Sequence, residues 1–228
     1  MQIPIIYEDN HLLIVEKPVN IPVQADKSGD MDLLTLLKQD LKERYQKPGN
    51  VYLGLVHRLD RPVGGVMVFA KTSKAASRMS DILRRQELKR TYMAVTRGKP
   101  DKKTATLIHH LAKDRRRNMV RVVNAKHKDA KKAALTYDMI GNKHGLGLLE
   151  IQLHTGRSHQ IRVQLASIGC PLYGDQKYGQ HVNKPGQQIA LWAKQLTFEH
   201  PVRKEKMTFI AEFPREEPWL HWHQLAGT

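Results

Sequence analysis

A succession of short apolar segments, most of them with the pattern of β-strands, is the feature that most constrains the fold of this chain. Residues 66–70 form an uninterrupted apolar run that is typical of a buried central strand. Helical spacing is confined to about 32–45, the segment after Thr72 or Ser73, and about 158–168. Strands that follow one another directly favour antiparallel pairing over repeated β-α-β units. We therefore predict a mixed α/β (α+β) fold in which helices flank a mostly antiparallel central sheet.

The other predicted strands are spread over the whole length of the chain. They cover residues 3–7, 12–16, 90–97, 104–111, 119–124, 133–140, 146–153, 189–198 and 206–213. No segment between them has the composition of a flexible linker, and no internal repeat is found. The sequence therefore predicts one continuous domain over residues 1–228.

The charge balance restricts the class of partner. Lys and Arg total 38 against 22 Asp and Glu, which gives a net charge of +16 and a pI near 10.0. A folded domain this basic repels itself unless it binds an anion, and the commonest such anion is a nucleic-acid backbone. An acidic membrane surface is the alternative, but neither a clear basic amphipathic helix nor a lipidation signal is present. We therefore expect a nucleic-acid partner and no membrane association.

Cysteine and histidine usage argues against cofactors and metals. Cys170 is the single cysteine, so an intrachain disulfide or a cysteine-based zinc site cannot form. The pairs His109, His110 and His221, His223 lack further ligands, and the glycine-rich nucleotide-binding motifs are absent. We expect neither metal nor cofactor. The N-terminus lacks the pattern of a secretory signal, which favours a cytoplasmic location.

Residues 57–65, with the sequence HRLDRPVGG, are the first candidate site. Asp60 lies between Arg58 and Arg61, in a loop just before the apolar strand. Neighbouring guanidinium groups would keep a carboxylate ionised and therefore nucleophilic. Two glycines, Gly64 and Gly65, would permit close approach of a ligand or another backbone segment. The alternative interpretation is an ordinary surface ion-pair cluster.

Residues 154–163 are the second candidate site, at the start of the predicted helix 158–168. Unpaired N–H groups of a helix start, together with Arg157 and Arg162, form a natural phosphate site. Either Thr155 or Ser158 could cap this helix. The alternative is a solvated helix face without a ligand.

A strongly basic segment between two predicted strands is the third candidate site. It contains Lys113, Arg115, Arg116, Arg117, Arg121, Lys126, Lys128, Lys131 and Lys132. Runs of charge are usually solvated surfaces, but between strands a hairpin that contacts phosphates is equally consistent with the pattern.

Taken in order, several segments resemble the RluA-type pseudouridine synthases. The similar segments are EKP at 16–18, HRLD at 57–60, KRTYMAV at 89–95, TGRSHQIRV at 155–163, GCPLYGD at 169–175, ALWA at 190–193 and HP at 200–201. HRLD alone is a weak signal, whereas its combination with the tyrosine segment and TGRSHQIRV is highly specific. The resemblance covers nearly the whole chain.

This resemblance implies an enzyme with an active-site cleft across the sheet and no cofactor. It implies that Asp60 is the nucleophile and that Arg162 pairs with Asp60 and orients it. Arg58 would help to extrude the target uridine, and Tyr92 would pack on the extruded base. The implied substrate is structured RNA, first ribosomal RNA and second transfer RNA, and the expected oligomeric state is a monomer.

The basic residues around these segments are the expected RNA contacts. They are Arg61, Arg115, Arg116, Arg117, Arg157 and His159. Some members of the family carry an additional S4-type RNA-binding domain, which we do not expect in this protein, so the catalytic domain's own basic surface would have to supply the affinity.

One departure from the family pattern leaves a second function open. The family usually has Thr-Ser-Gly after HRLD and two intervening residues, where this chain has Val63-Gly64-Gly65. The loss of two hydroxyl groups beside the nucleophile is consistent with a catalytically impaired RNA-binding or ribosome-assembly module. Conversion of uridine in RNA would distinguish the enzyme from such a module.

Overall fold

The computed structural model describes the backbone of residues 2–225 and the side chains of residues 2–222. The elements in chain order are β1 (Ile5–Glu8), β2 (Leu12–Lys17), α1 (Leu33–Arg44), β3 (Gly54–Leu55), β4 (Gly64–Ala70), α2 (Ser73–Arg84), β5 (Lys89–Arg97), β6 (Thr104–Asp114), β7 (Met119–Val123), β8 (Lys131–Lys143), β9 (Leu146–Leu153), α3 (Gln160–Ser167), β10 (Leu191–Glu199), β11 (Lys206–Ile210) and a 3-10 helix (Trp219–Leu225). They belong to two compact units. The first comprises the residues up to Lys89 together with Ala193–Ala211, and the second comprises Arg90–Trp192 and the residues from Glu212 onwards.

The first unit is built on the buried strand β4. Antiparallel pairing joins β1 to β2, β2 to β4 and β3 to β4, and the part of β10 in this unit neighbours β4 and pairs with β11. Every residue of β4 is buried, as the uninterrupted apolar run predicts. The register places Lys17 opposite Gly65, so the end of β2 lies beside the loop that leads into β4.

Both helices of the first unit begin at side-chain caps. The Asp32 carboxylate accepts a hydrogen bond from the N–H of Thr35, and the Thr72 hydroxyl accepts one from the N–H of Ala75. The apolar spacing of α1 buries Leu33, Leu37 and Leu41 on one face. The predicted helix 32–45 is therefore confirmed, as is Thr72 as one of the two proposed caps of α2.

The second unit is an antiparallel sheet in the order β5-β9-β8-β6-β7. Strands β6 and β7 form a hairpin, and α3 packs against both. A buried cluster of Leu111, Val120, Ala133 and Val163 joins the hairpin to the helix, with Tyr178 packed against it. This cluster positions α3 relative to the basic hairpin.

The structure confirms the predicted fold class and corrects the start of one helix. Helix α3 begins at Gln160 and its N-cap is His159, in the left-handed conformation with φ of 50°. The prediction that Thr155 or Ser158 caps it is wrong, because the Thr155 hydroxyl is bonded to Ala134 and Gln160, and Ser158 lies next to Lys113.

The organisation of residues 1–228 as one domain stays a prediction. Among the described residues, no helix combines the length and apolar composition needed to cross a lipid bilayer.

Candidate active site

Two buried side chains anchor the loop that carries Asp60. His57 and Leu59 are buried, whereas the alternate residues Arg58 and Asp60 are exposed and half-buried. The N–H of Val68 donates to Nε2 of His57 at 3.2 Å, which fixes the imidazole against β4. The alternation therefore turns Arg58 and Asp60 away from the core.

Lys17 holds the other side of this loop. Its side chain is 0% exposed, and its Nζ donates to the carbonyl oxygens of Pro18 at 2.9 Å, Arg61 at 3.0 Å and Val63 at 2.8 Å. All three N–H groups of the ammonium are thereby matched by acceptors. A single buried cation thus fixes the backbone immediately after Asp60.

The same lysine is electrostatically coupled to Asp60. Burial lowers the pKa of Lys17 from 10.5 to about 7, the charge of Asp60 opposes this lowering, and the charge of Arg61 adds to it. The charge of Asp60 therefore favours the charged form of the buried Lys17 ammonium under the loop.

The two arginines that flank Asp60 do not act as the sequence suggested. Arg61 forms an ion pair with Asp30 and donates to the carbonyl of Asn20 at 3.1 Å, so its guanidinium is not the partner of Asp60. Arg58 is exposed, and its side chain makes no hydrogen bond or ion pair with the described part of the chain. The role of Lys17 was not predicted from the sequence, although the Lys-Pro segment at 17–18 was among the family-like segments.

Gly65, the second of the two glycines after the Asp60 loop, lies against another backbone segment. Its φ is 115°, and a Cβ at this position would lie 2.3 Å from the carbonyl oxygen of Ala193. No larger residue fits without moving β4 from its neighbour β10. The predicted close approach of another backbone segment is therefore confirmed at Gly65.

Gln160 organises the segment that precedes α3. Its side-chain oxygen accepts from the Thr155 hydroxyl at 2.7 Å and from the N–H of Arg157 at 3.0 Å, and its amide nitrogen donates to the Ala134 carbonyl at 3.0 Å. The backbone N–H of Arg157, just before the helix, is thus already bonded and is not available to a phosphate.

Arg162 is held by a carboxylate that the sequence analysis did not assign. Its Nε and Nη2 donate to the two carboxylate oxygens of Asp175, both at 2.8 Å, and Arg162 is only 5% exposed. Burial alone would raise the pKa of Asp175, but the hydrogen bonds and charge of Arg162 give a net lowering. The guanidinium also lies 5.3 Å from the ring centre of Tyr178. Asp175 is the last residue of the GCPLYGD segment, and the resemblance of this segment to the family was the sequence signal that could have indicated its importance.

Tyr178 links this arginine to the basic hairpin. Its hydroxyl oxygen accepts from the N–H of Val120 at 2.8 Å and lies 2.8 Å from Nδ1 of His159. Because the Val120 N–H is the donor of the first bond, the hydroxyl proton is available for the imidazole. The ring and hydroxyl of Tyr178 therefore connect β7, the start of α3 and Arg162.

Exposed cations surround the start of α3 in the second unit. Arg115, Arg116 and Arg117 are exposed in the β6–β7 turn, where Asp114 accepts from the backbone N–H groups of Arg116 and Arg117. Arg157 is also exposed, and its Nε donates to the carbonyl of Lys132 at 3.0 Å. The second and third candidate sites thus form one basic surface, whereas His159 is buried behind it.

The remaining predicted residues are divided between the units. Tyr92 is buried in β5, opposite Ile151 of β9. The predicted pair of Asp60 with Arg162 joins residues of different units and stays a prediction. Within the described residues, no group of three or more His, Cys, Asp or Glu side chains could hold a metal ion.

The fold of this chain is similar to that of a human protein of known structure. The human protein RNA Pseudouridylate Synthase Domain Containing 4 superposes with a TM-score of 0.78 at 23% identity, over 93% of this chain and 89% of the human chain. The family model described as RNA pseudouridylate synthase matches residues 11–167.

Curated relatives agree with the family model. An uncharacterized RNA pseudouridine synthase of Bacillus subtilis, YhcT, is 35% identical over 94% of this chain and 70% of its own length. The ribosomal large subunit pseudouridine synthase D of Zymomonas mobilis is 32% identical over 93% of this chain and 69% of its own length. Synthase C of Rickettsia prowazekii is 27% identical over 92% and 68%. The chain therefore belongs to the RNA pseudouridylate synthase family.

Proposed function

We propose that this enzyme isomerises specific uridines in structured RNA, with large-subunit ribosomal RNA as the first candidate and transfer RNA as the second. Ribosomal RNA is favoured because relatives from Rickettsia prowazekii, Zymomonas mobilis and Haemophilus influenzae are named ribosomal large subunit pseudouridine synthases. The strong positive charge also suits an RNA partner. We further propose that residues 1–228 act as one catalytic domain, as a monomer in the cytoplasm. The family model supports the single domain, since residues 11–167 include parts of both units.

Asp60 is the proposed nucleophile. Isomerisation breaks the bond between N1 of uracil and the ribose and re-forms it at C5, so nothing is oxidised and no group is imported. A carboxylate can form an adduct with the base or the sugar, or can remove a sugar proton. The observation that carries the proposal is the Asp60 loop itself, which is anchored by His57 and Leu59 and tied down by Lys17 next to the carboxylate.

Base extrusion is the second part of the proposal. A paired uridine must leave its stack to reach a carboxylate, at a cost of a few kcal/mol. Arg58 is proposed to take the place of the extruded base or to hold the backbone, and its exposed side chain supports this role. Tyr92 is proposed to stack on the extruded base, which is worth about 1–3 kcal/mol.

Arg162 is proposed to pair with Asp60 and orient it. Support comes from its own fixation, because two hydrogen bonds to Asp175 and the ring of Tyr178 leave the guanidinium little freedom. An arginine presents further N–H groups beyond the two that Asp175 accepts. A rigid cation of this kind can define the direction of a carboxylate.

The proposed RNA contacts differ in how well the structure supports them. Arg115, Arg116, Arg117 and Arg157 are exposed on the basic surface of the second unit, where phosphates can reach them. The guanidinium of Arg61 would have to exchange or share its partner Asp30. A contact of His159 with RNA would be indirect, through the residues that it positions.

Release of tritium from RNA labelled at C5 of uridine tests the proposed function, since isomerisation expels the hydrogen at that carbon. Purified protein incubated with labelled ribosomal RNA and no added cofactor should release tritium. Binding of RNA without release would favour the catalytically impaired module suggested by Val63-Gly64-Gly65. Pseudouridine mapping in cells with and without the protein should then show which RNA loses a modified site.

A further inference from the structure

Arg90, at the start of β5, is a buried arginine without a counter-charge. It is 8% exposed, and its Nε has no hydrogen-bond partner among the residues that the structure describes. Within the same residues, its side chain makes a single hydrogen bond, from Nη2 to the carbonyl of Leu153 at 3.5 Å, the limit of such a contact. No carboxylate among the described residues forms an ion pair with it.

Buried charges in proteins are normally paired, because removing a charge from water without a partner is unfavourable. Arg90 departs from this rule in a family whose substrate carries a negative charge on every nucleotide. A bound anion would supply both the counter-charge and acceptors for the N–H groups.

The surroundings of Arg90 connect it to the second candidate site. A Cβ at Gly156 would lie 2.8 Å from Nη1 of Arg90, so the glycine of the TGR segment leaves room for the guanidinium. The φ of Gly156 is in the range open to other residues, so the close neighbour of this glycine is the Arg90 guanidinium and not a strained backbone. Arg90 thus packs against the backbone between Thr155 and Arg157.

Arg90 also lies on the same side of β5 as Tyr92. Side chains two residues apart on a strand point to one face, and their Cα atoms are separated by about 6.6 Å. If Tyr92 stacks on the extruded base, Arg90 is within one nucleotide's length of it. A backbone phosphate of that nucleotide or its neighbour is the anion of matching charge and distance, and a planar guanidinium suits phosphate oxygens.

We propose that Arg90 is a phosphate-binding residue for the RNA backbone beside the extruded nucleotide. The inference rests on the proposed function, because it assumes that Tyr92 receives the base. It adds a contact that is inside the site rather than on the exposed basic surface.

Salt dependence of RNA binding tests this contact. Arg90→Gln and Arg90→Lys are compared with the parent protein in an Asp60→Asn background, so that turnover does not interfere, with transcribed large-subunit ribosomal RNA as the probe. Arg90→Gln should raise the Kd roughly tenfold and reduce the slope of log Kd against log salt by roughly 0.7–0.9, the value of one phosphate contact. Arg90→Lys should keep the slope but weaken binding, because the forked geometry is lost.

A matched control and a stability readout separate this role from a structural one. Arg85→Gln removes an equal charge from an exposed arginine that pairs with Asp81 and Glu87, and it should leave Kd and slope unchanged. In the absence of RNA, Arg90→Met should have a Tm equal to or above that of the parent, because it relieves an unpaired buried charge. A structural arginine would instead lower the Tm.

An unchanged Kd and slope in Arg90→Gln would overturn the inference, as would a lowered Tm in Arg90→Met combined with an unchanged slope in Arg90→Gln. Failure of the proposed function is a separate result. It would appear as an absence of tritium release by the unmodified protein, whatever Arg90 contributes to binding.

Discussion

Replacement of Lys17 by Met tests how the loop of Asp60 is held. Methionine keeps an unbranched side chain of similar length, so the core position stays filled while the ammonium is lost. The carbonyl oxygens of Pro18, Arg61 and Val63 then lose the donor that they share. We expect the fold to survive and the loop to loosen.

The magnitude follows from the three lost hydrogen bonds. A buried acceptor left without its donor costs about 1–3 kcal/mol, and removal of the buried charge of Lys17 offsets part of this sum. A net loss of about 3 kcal/mol in the free energy of unfolding is the result. For a chain of this size that corresponds to a decrease in Tm of about 6–12 °C.

Urea denaturation at neutral pH measures the effect, with Lys74→Met on the exposed side of α2 as the control. The control should stay within about 0.5 kcal/mol of the parent. A Lys17→Met protein that is equally close to the parent would refute the reasoning, because the three carbonyls would then have other partners.

The pH dependence of the stability difference between the parent protein and Lys17→Met gives an independent check. The pKa of Lys17 is about 7 in the folded protein against 10.5 for an ordinary lysine, so between these values the unfolded chain binds more protons at this residue. Lys17 therefore makes the free energy of unfolding rise with pH in that window, by up to about 1.4 kcal/mol per pH unit. The stability difference between the parent and Lys17→Met should widen between pH 7 and about pH 9, and a constant difference would contradict the lowered pKa.

Two further substitutions test the packing of the site by urea denaturation. Tyr178→Phe keeps the ring but leaves the N–H of Val120 without its acceptor, and it should cost about 1–3 kcal/mol; a change below about 0.5 kcal/mol would refute that hydrogen bond. Gly65→Ala places a methyl group against the carbonyl of Ala193 and should cost more than about 3 kcal/mol. Gly49→Ala, at a φ of 74° in open space, should cost only about 1 kcal/mol. Equal costs at the two glycines would contradict the close backbone contact.

Local patterns in the sequence predicted the elements of the fold well. The strands follow from apolar alternation and from the uninterrupted run in β4, and α1 follows from the spacing of its leucines. These signals depend on neighbouring residues, so a single sequence contains them. Gly65 was predictable for the same reason, because two adjacent glycines before a buried strand indicate a close approach.

Contacts between distant residues account for what the sequence did not predict. The acceptors of Lys17 on the Asp60 loop lie 44 and 46 positions further along the chain, and Arg162 meets Asp175 13 positions away. Nothing in the local sequence pattern distinguishes Lys17 or Asp175 from the other charged residues of the chain. Arg61 was assigned to Asp60 by adjacency, but the fold brings Asp30 to its guanidinium.

At the start of α3, tertiary hydrogen bonds compete with helix capping for the same side chains, and the sequence alone does not show which interaction forms. Several residues there have side chains that can cap a helix, but Thr155 is engaged by Ala134 and Gln160, and His159 by Tyr178. The left-handed backbone of His159 then begins the helix without a side-chain cap. Tertiary hydrogen bonds decided the outcome over local preference.

The most direct test of the central claim is the activity of Asp60→Asn, a substitution that preserves shape and removes the charge and nucleophilicity of the carboxylate. Tritium release from labelled ribosomal RNA and the Kd for the same RNA are measured side by side for the parent and the variant. We expect release to fall to the background rate while the Kd changes by less than about threefold. Release by Asp60→Asn at a rate near that of the parent would contradict the assignment of Asp60 as the nucleophile.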